Sequence, residues 1–453
     1  MRPNDTATRD PEPDRAKTRL TAGVLSGRLT LMGGPDVETA LNELIRRASR
    51  LVLRYVPAEN IKALVLAGGY GRGEGGIRVD KGGEHPASNP DLILFSSGLG
   101  PADRDRLAAK VARPFASLRR RFGTGVDFSV IDARRLERDP VRLLWYDLRH
   151  GHKLLAGDPG FLPGLTRFTL GNIDPTDMAD LVIKRGALLI LNDLILAHEA
   201  YSGRVCLVRD AHLALSDLVL PQNPWTSVRR EALLTHVVRA IIGCGDAFLL
   251  AREAYHWSYV ERRRRMSLAA IPATPEFKTL YESAMRYRFG GDPLAGERLL
   301  AEVESGHLRK VLGAAHLEIE RHRFRAPNLT FEGYVTVSLR QDLMDAKSSL
   351  GSLARGALTA VRAGLHLGAG SPYSLRLALD GGDERGAVRA LFPLIAYGAG
   401  NAQDAAAARE ILGVRNVRSG AARLAWLRMW SRSFDPNLTR TLTRLGLPVE
   451  AAA

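Results

Sequence analysis

IKALVLAGGYGRGEGG, residues 61–76 of a 453-residue chain, sets an apolar run directly before a loop in which six of nine residues are glycine. A short unbroken apolar run reads as a buried strand. Bare backbone after a strand suits contact with an anion, because unshielded N–H groups can point at it. Gly71, Gly73 and Gly76 satisfy G-x-G-x-x-G, the dinucleotide fingerprint, and Asp91 follows about twenty residues after Gly71. Such a match arises easily in a glycine-dense stretch. Asp91 also opens the next apolar run, whereas the ribose-binding acid belongs at a strand's end. No G-K-[ST] follows, which excludes a P-loop.

The flanking pattern predicts a small α/β domain over residues 25–160. Apolar residues recur at helical spacing from Pro35 to Tyr55, with Asp36 placed as the cap. DLILF (91–95) predicts a second strand. Residues 103–122 have helix character and end in Arg119, Arg120 and Arg121, which suit a helix C-terminus. GVDFSVID (125–132) predicts a third strand, and GIRVDKGGEHPASNP is a turn-rich connector. After Pro175 the spacing becomes helical: 177–201, 228–255, 277–289 and 293–322. A helical domain is expected over 176–330 and a further helical region over 331–453, with loops at 364–372 and 381–383 and helix again over 404–449. The fold class is an α/β N-terminal domain, a small mixed sheet with helices, followed by a mostly α-helical region.

Composition removes several classes. Two cysteines, Cys206 and Cys244, support neither a disulfide framework nor a cysteine-based zinc site. Residues 1–24 are polar and carry no apolar signal-peptide core, so they read as a disordered tail. The most apolar stretch, LVIKRGALLILNDLILA, is broken by Lys184, Arg185, Asn192 and Asp193, so no membrane span is expected and the chain reads as cytoplasmic. A net charge of +15 favours polyanionic partners. Basic runs such as Arg119–Arg121 and Arg262–Arg265 are ordinarily solvated helix faces, and no RRM, KH or zinc pattern accompanies them, so nucleic acid is not the favoured partner.

The chemistry gathers on two strands. Asn89 and Asp91 sit two apart at the start of one, facing the same way, and Asp127 sits among apolar neighbours on the next. Two carboxylates on adjacent strands make a hard-oxygen site for Mg²⁺ or Mn²⁺, and the glycine loop lies upstream of both. This order, with GGYGRGE at 68–74, NPD at 89–91 and VDFSVID at 126–132, resembles the DNA polymerase β-like nucleotidyltransferase superfamily. LLWYDLRHGHKLLAGDP (143–159) is similar to the helix and L-x-G-D loop of its small-substrate members, including the aminoglycoside and minimal nucleotidyltransferases.

The resemblance covers about residues 64–159. It implies metal-dependent transfer of a nucleoside monophosphate from an NTP to a small-molecule or protein acceptor, with release of pyrophosphate. It assigns Gly68, Gly69, Arg72, Gly73 and Glu74 to the nucleotide, and Asn89, Asp91 and Asp127 to the metal. Asp91 and Asp127 would be the catalytic pair. Asn89 departs from the pattern, which has an acid there; Asp80, Glu84 and His85 in the connector are the candidates to replace it. That amide also supports a degenerate relative that binds nucleotide or acts as a scaffold. A third reading is an RNA- or DNA-directed transferase.

Three further features call for partners. His150 and His152 form an H-x-H that reads as a polar turn rather than a metal site, having no cysteine nearby. Asp246 lies in an apolar helix, with Lys184, Arg185 or the acceptor cleft as candidates to meet it. YHWSYVERRRR (255–265) reads as a helix end with solvated charges or as one wall of the substrate pocket.

Overall fold

The computed structural model of the protein describes residues 27–80, 82–196, 227–268, 274–347 and 384–434. The expected tail over 1–24, Cys206, the helix end at Tyr201, the loops at 364–372 and 381–383, and the helix beyond residue 434 lie outside the described residues. The N-terminal part runs α1 (Pro35–Tyr55), β1 (Ile61–Ala67), α2 (Gly68–Arg72), β2 (Ile77–Asp80), β3 (Gly83–Pro86), β4 (Asp91–Ser96), α3 (Pro101–Phe122), β5 (Asp127–Asp132), α4 (Arg135–Arg138), α5 (Leu143–His150) and β6 (Lys153–Gly157).

The sheet order is β5–β4–β1–β6. β1 is antiparallel to both neighbours, while β4 and β5 are parallel and joined across a face by α3. β1 is apolar throughout because both faces are covered. Leu64 and Leu66 join Leu41, Ile45, Leu107 and Phe115 under α1 and α3. Ala63, Val65 and Ala67 join Phe95, Leu148 and Phe168 on the other face.

Three local expectations are corrected. The cap of α1 is Gly34, not Asp36: Pro35 is the first helical residue, which moves the cap one place earlier. The Gly34 N–H donates to Glu84 Oε2 at 2.6 Å instead. The connector contains the two-stranded hairpin β2–β3; β2 (IRVD) alternates over four residues, which is too short to stand out, and β3 (GEHP) does not alternate. β6, read as part of a loop, is a fourth strand at the free side of β1.

The helical region comprises α6 (Thr176–Leu196), α7 (Ser227–Ala251), α8 (Tyr259–Ser267), α9 (Pro275–Gly290), α10 (Pro293–Glu304), α11 (His307–Phe324), α12 (Tyr334–Lys347), α13 (Glu384–Tyr397), α14 (Ala402–Leu412) and α15 (Gly420–Phe434). The single helix expected over 293–322 is two, broken at Gly306 with φ +72°. Ile183, Ile190, Val237, Ile241 and Phe248 of α6 and α7 share one core with Phe392 and Trp426. The Leu233–Ala251 stretch of α7 is long and apolar enough to cross a membrane, and it is largely buried in this core.

Candidate active site

Parallel pairing puts Asp91 directly opposite Asp127. Register partners on neighbouring strands, ~4.8 Å apart, point to the same face. That face is the one away from α1 and α3, since Asp91 shares its parity with Ile93 and Phe95. The antiparallel register then sets Ala67, the last residue of β1, opposite Asp91 on its other side. The chain turns at Gly68, whose φ is +64°. A Cβ there would stand 2.4 Å from Asp91 Oδ2. Bare backbone at Gly68 is therefore required by the carboxylate it lies against, and by a left-handed conformation that other residues rarely adopt.

Asn89 is built into this pair. Its Nδ2 donates to Asp127 Oδ1 at 3.1 Å, and its Oδ1 accepts the Gly125 N–H at 3.1 Å. The amide thus orients Asp127 and fixes the entry to β5. The rest of the loop is closed from within. The Glu74 N–H donates to the Gly69 carbonyl at 2.8 Å, and Gly73 ends α2 in the left-handed region. The buried Tyr70 hydroxyl lies 3.2 and 3.1 Å from the carbonyls of Gly76 and Ser88, and burial raises its pKa.

Arg72 and Glu74 turn toward the helical region. Glu74 is buried; its Oε1 accepts from Ser258 Oγ at 2.5 Å and its Oε2 from the Tyr259 N–H at 2.7 Å, so it holds the start of α8. Arg72 meets Asp147 Oδ2 at 3.4 Å and lies over the Tyr259 ring, 4.8 Å from its centroid. Burial works against its charge, but Asp147 and Tyr259 raise its pKa overall. Below it lies a closed ionic network. Arg262, 1% exposed, donates to Asp246 Oδ2 at 2.7 Å, to the His256 carbonyl at 2.5 Å and to the Trp257 carbonyl at 2.9 Å, and its Nη2 is 3.3 Å from Asp147 Oδ2. Its guanidinium is sandwiched between Tyr255 and Tyr259, at 4.3 and 4.2 Å. Asp246 is thus met by Arg262 and by the Tyr281 hydroxyl at 3.2 Å, not by Lys184 or Arg185. The other arginines of that basic run pair outward with Glu282 and Glu261.

The helical region also brings a cation within the field of the carboxylates. Arg239 on α7 senses Asp127 and Asp91, which raise its pKa; burial, with Arg185 and Arg288 beside it, outweighs them and pushes it down to about 10. Arg288 on α9 lies over Tyr259 at 5.3 Å, and its buried Nε has no hydrogen-bond partner. Its carbonyl is so close to Gly76 that a Cβ there would come within 2.1 Å. Sequence reasoning passed over Arg239 and Arg288. The available signal was a charged residue inside an otherwise apolar helix, as in LLTHVVRAIIG.

Mg²⁺ ordinarily takes one or two carboxylates, keeping its other positions for water and substrate phosphates. Asp91 and Asp127, side by side at a strand terminus, fit that donor set. Among the described residues no group of three or more His, Cys, Asp or Glu side chains comes together to hold a metal. Asp80 accepts the Gly82 N–H and meets His85, and Glu84 holds Gly34, so these three serve the hairpin and α1. His150 packs on Tyr146, and His152 Nδ1 sits 2.6 Å from the Leu148 carbonyl.

Comparison with known proteins returns no matching family model and no matching curated relative.

Proposed function

We propose that the protein is a metal-dependent nucleotidyltransferase, moving a nucleoside monophosphate from an NTP to a hydroxyl of a small-molecule or protein acceptor. The observation that carries this reading is the register-matched Asp91–Asp127 pair, pressed against Gly68 and within the electrostatic reach of Arg239. Asp91 and Asp127 would hold the divalent cation, which when bound would neutralise charge on the phosphates. Arg239 would supply positive charge near the carboxylates, with Arg288 beside it, suited to the β- and γ-phosphates. Asn89 keeps Asp127 aimed at the acceptor. The acceptor oxygen forms a bond to the α-phosphorus, the bond from that phosphorus to the bridging oxygen breaks, pyrophosphate leaves, and the acceptor proton passes to Asp127. Arg72 and Glu74 act through structure: they lock the loop onto α8 and the helical network.

Asn89 also favours a second reading, a nucleotide-binding scaffold without turnover, because it supplies no third charge. Thermal unfolding with each NTP, with and without Mg²⁺ or Mn²⁺, tests nucleotide binding. A ligand at 100 times its Kd adds ~2.7 kcal/mol to the folded state. Metal-dependent stabilisation lost in Asp91→Ala/Asp127→Ala is expected; no shift with any NTP overturns both readings. Pyrophosphate release in an acceptor screen, using the stabilising NTP, separates enzyme from scaffold.

A further inference from the structure

The sheet face opposite the carboxylates is covered by α1 and α3, and their outward surface concentrates unmatched charge. Arg50 and Arg54 on α1, and Lys110, Arg113, Arg119 and Arg120 on α3, are all exposed. Among the described residues none of the six has a carboxylate partner. On α8, by contrast, the exposed Arg263 and Arg264 are matched by Glu282 and Glu261. On α3 the cations are also aligned. Arg106, which meets Asp103 at 2.6 Å, and the unpaired Arg113 and Arg120 recur every seven residues along one side of the helix, a row ~21 Å long at 1.5 Å per residue. Apart from Lys110 and Arg119, the other exposed positions between them are small: Ala108, Ala109, Ala112, Ala116 and Ser117. A polyanion can approach the helix closely there.

We propose that the outward face of α1 and α3 binds the phosphate backbone of duplex DNA without reading its sequence. Besides the acids Asp103 and Asp105 near its start, the exposed side chains of α3 are cationic or small. α3 contains no Asn, Gln, Thr, Tyr or Trp, so it has no amide to read base edges and no indole or phenol on which unpaired bases would stack. RNA duplexes are recognised largely through contacts that include the 2′-hydroxyl, for which this helix has few neutral polar groups. Insertion into a lipid interface needs an apolar face, and on α1 and α3 the exposed large apolar residue is Tyr55, at the end of α1. A second copy of the same face would repel. Six engaged cations predict a slope of log affinity against log salt of about −5, hence about a 10³-fold loss between 50 and 200 mM salt.

The test is fluorescence anisotropy of the full chain with a labelled 20-base-pair random duplex DNA, across salt. Lys110→Glu/Arg113→Glu/Arg120→Glu is compared with Arg298→Glu/Arg415→Glu/Arg418→Glu, which makes the same charge change on exposed positions of the helical region. Circular dichroism confirms that both variants are folded. The expected result is at least a tenfold rise in Kd and a salt slope shallower by about 3 in the α3 variant, with the control within threefold of wild type. No DNA binding at 50 mM salt, an equal loss in both variants, tighter binding to duplex RNA, or capture by phosphatidylserine vesicles in preference to DNA would each overturn the proposal. These readouts do not depend on nucleotide transfer, so they stand or fall apart from the proposed activity.

Discussion

Gly68→Ala is the substitution on which the site geometry can be judged. Two costs follow from its surroundings. A side chain at φ +64° adopts the left-handed region, worth ~1–2 kcal/mol. The new Cβ would also stand 2.4 Å from Asp91 Oδ2, so the carboxylate must leave its place, at roughly 0.5–1.5 kcal/mol if it is forced off its rotamer. Together these predict a destabilisation of about 2–3 kcal/mol, within the range of strained functional backbone. Urea unfolding of wild type, Gly68→Ala, Asp91→Ala and the double variant separates the two costs. With Asp91 truncated the collision vanishes, and Gly68→Ala costs the backbone strain alone. The cycle should therefore show ~1 kcal/mol of coupling, above the ~0.3–0.5 kcal/mol scatter of independent sites. The single variant should also lose metal-dependent stabilisation by NTP, because Asp91 is displaced. Equal cost of Gly68→Ala in both backgrounds, with the nucleotide response intact, would refute the argument that this glycine is bare for the sake of Asp91.

Asn89→Asp replaces the donor to Asp127 with a second negative charge 3.1 Å away; like-charge repulsion then raises one carboxyl pKa. Tm without metal should fall by ~2–4 °C, about what 1 kcal/mol removes from a domain of this size, and saturating Mg²⁺ should restore it; an unchanged metal-free Tm would contradict the role given to Asn89. Arg262→Met takes the cation from buried Asp246, while Asp147 keeps Arg72, and should cost about 3–5 kcal/mol in urea unfolding, whereas adding Asp246→Leu should recover part of the loss; strict additivity would count against the network. His236 is buried with Nδ1 2.5 Å from Asn192 Oδ1, and burial pushes its pKa down to about 3. A folded pKa below the unfolded ~6.5 leaves its stabilisation complete above that value and erodes it as pH falls toward 3. The loss at pH 5 is about 2 kcal/mol. His236→Gln should flatten unfolding free energy between pH 7 and 5 by that amount, and identical slopes in the two proteins would exclude the assignment.

Several elements were legible because short-range pattern carried them. α1 ends where its apolar spacing does, at Tyr55, and β4 and β5 begin at or near the predicted residues. The hairpin β2–β3 and the edge strand β6 were not, since neither is long or buried enough for an alternation to stand out. The break at Gly306 was hidden by apolar spacing that continues in both helices.

The sequence by itself determined that a buried strand runs into a bare loop, that Asp91 opens a second strand with Asn89 two residues before it, and that Asp127 lies near the start of a third. These are consequences of the two-residue period of a strand and the steric freedom of glycine, both local. Only the tertiary structure decided where Arg72 and Glu74 point, because their partners Asp147, Ser258 and Tyr259 lie 75, 184 and 185 residues away. Likewise Arg239 comes within the field of Asp91 and Asp127 from α7, in the helical region. Charge buried at such a junction takes its meaning from whatever stands across the gap, and nothing in the local sequence encodes that distance.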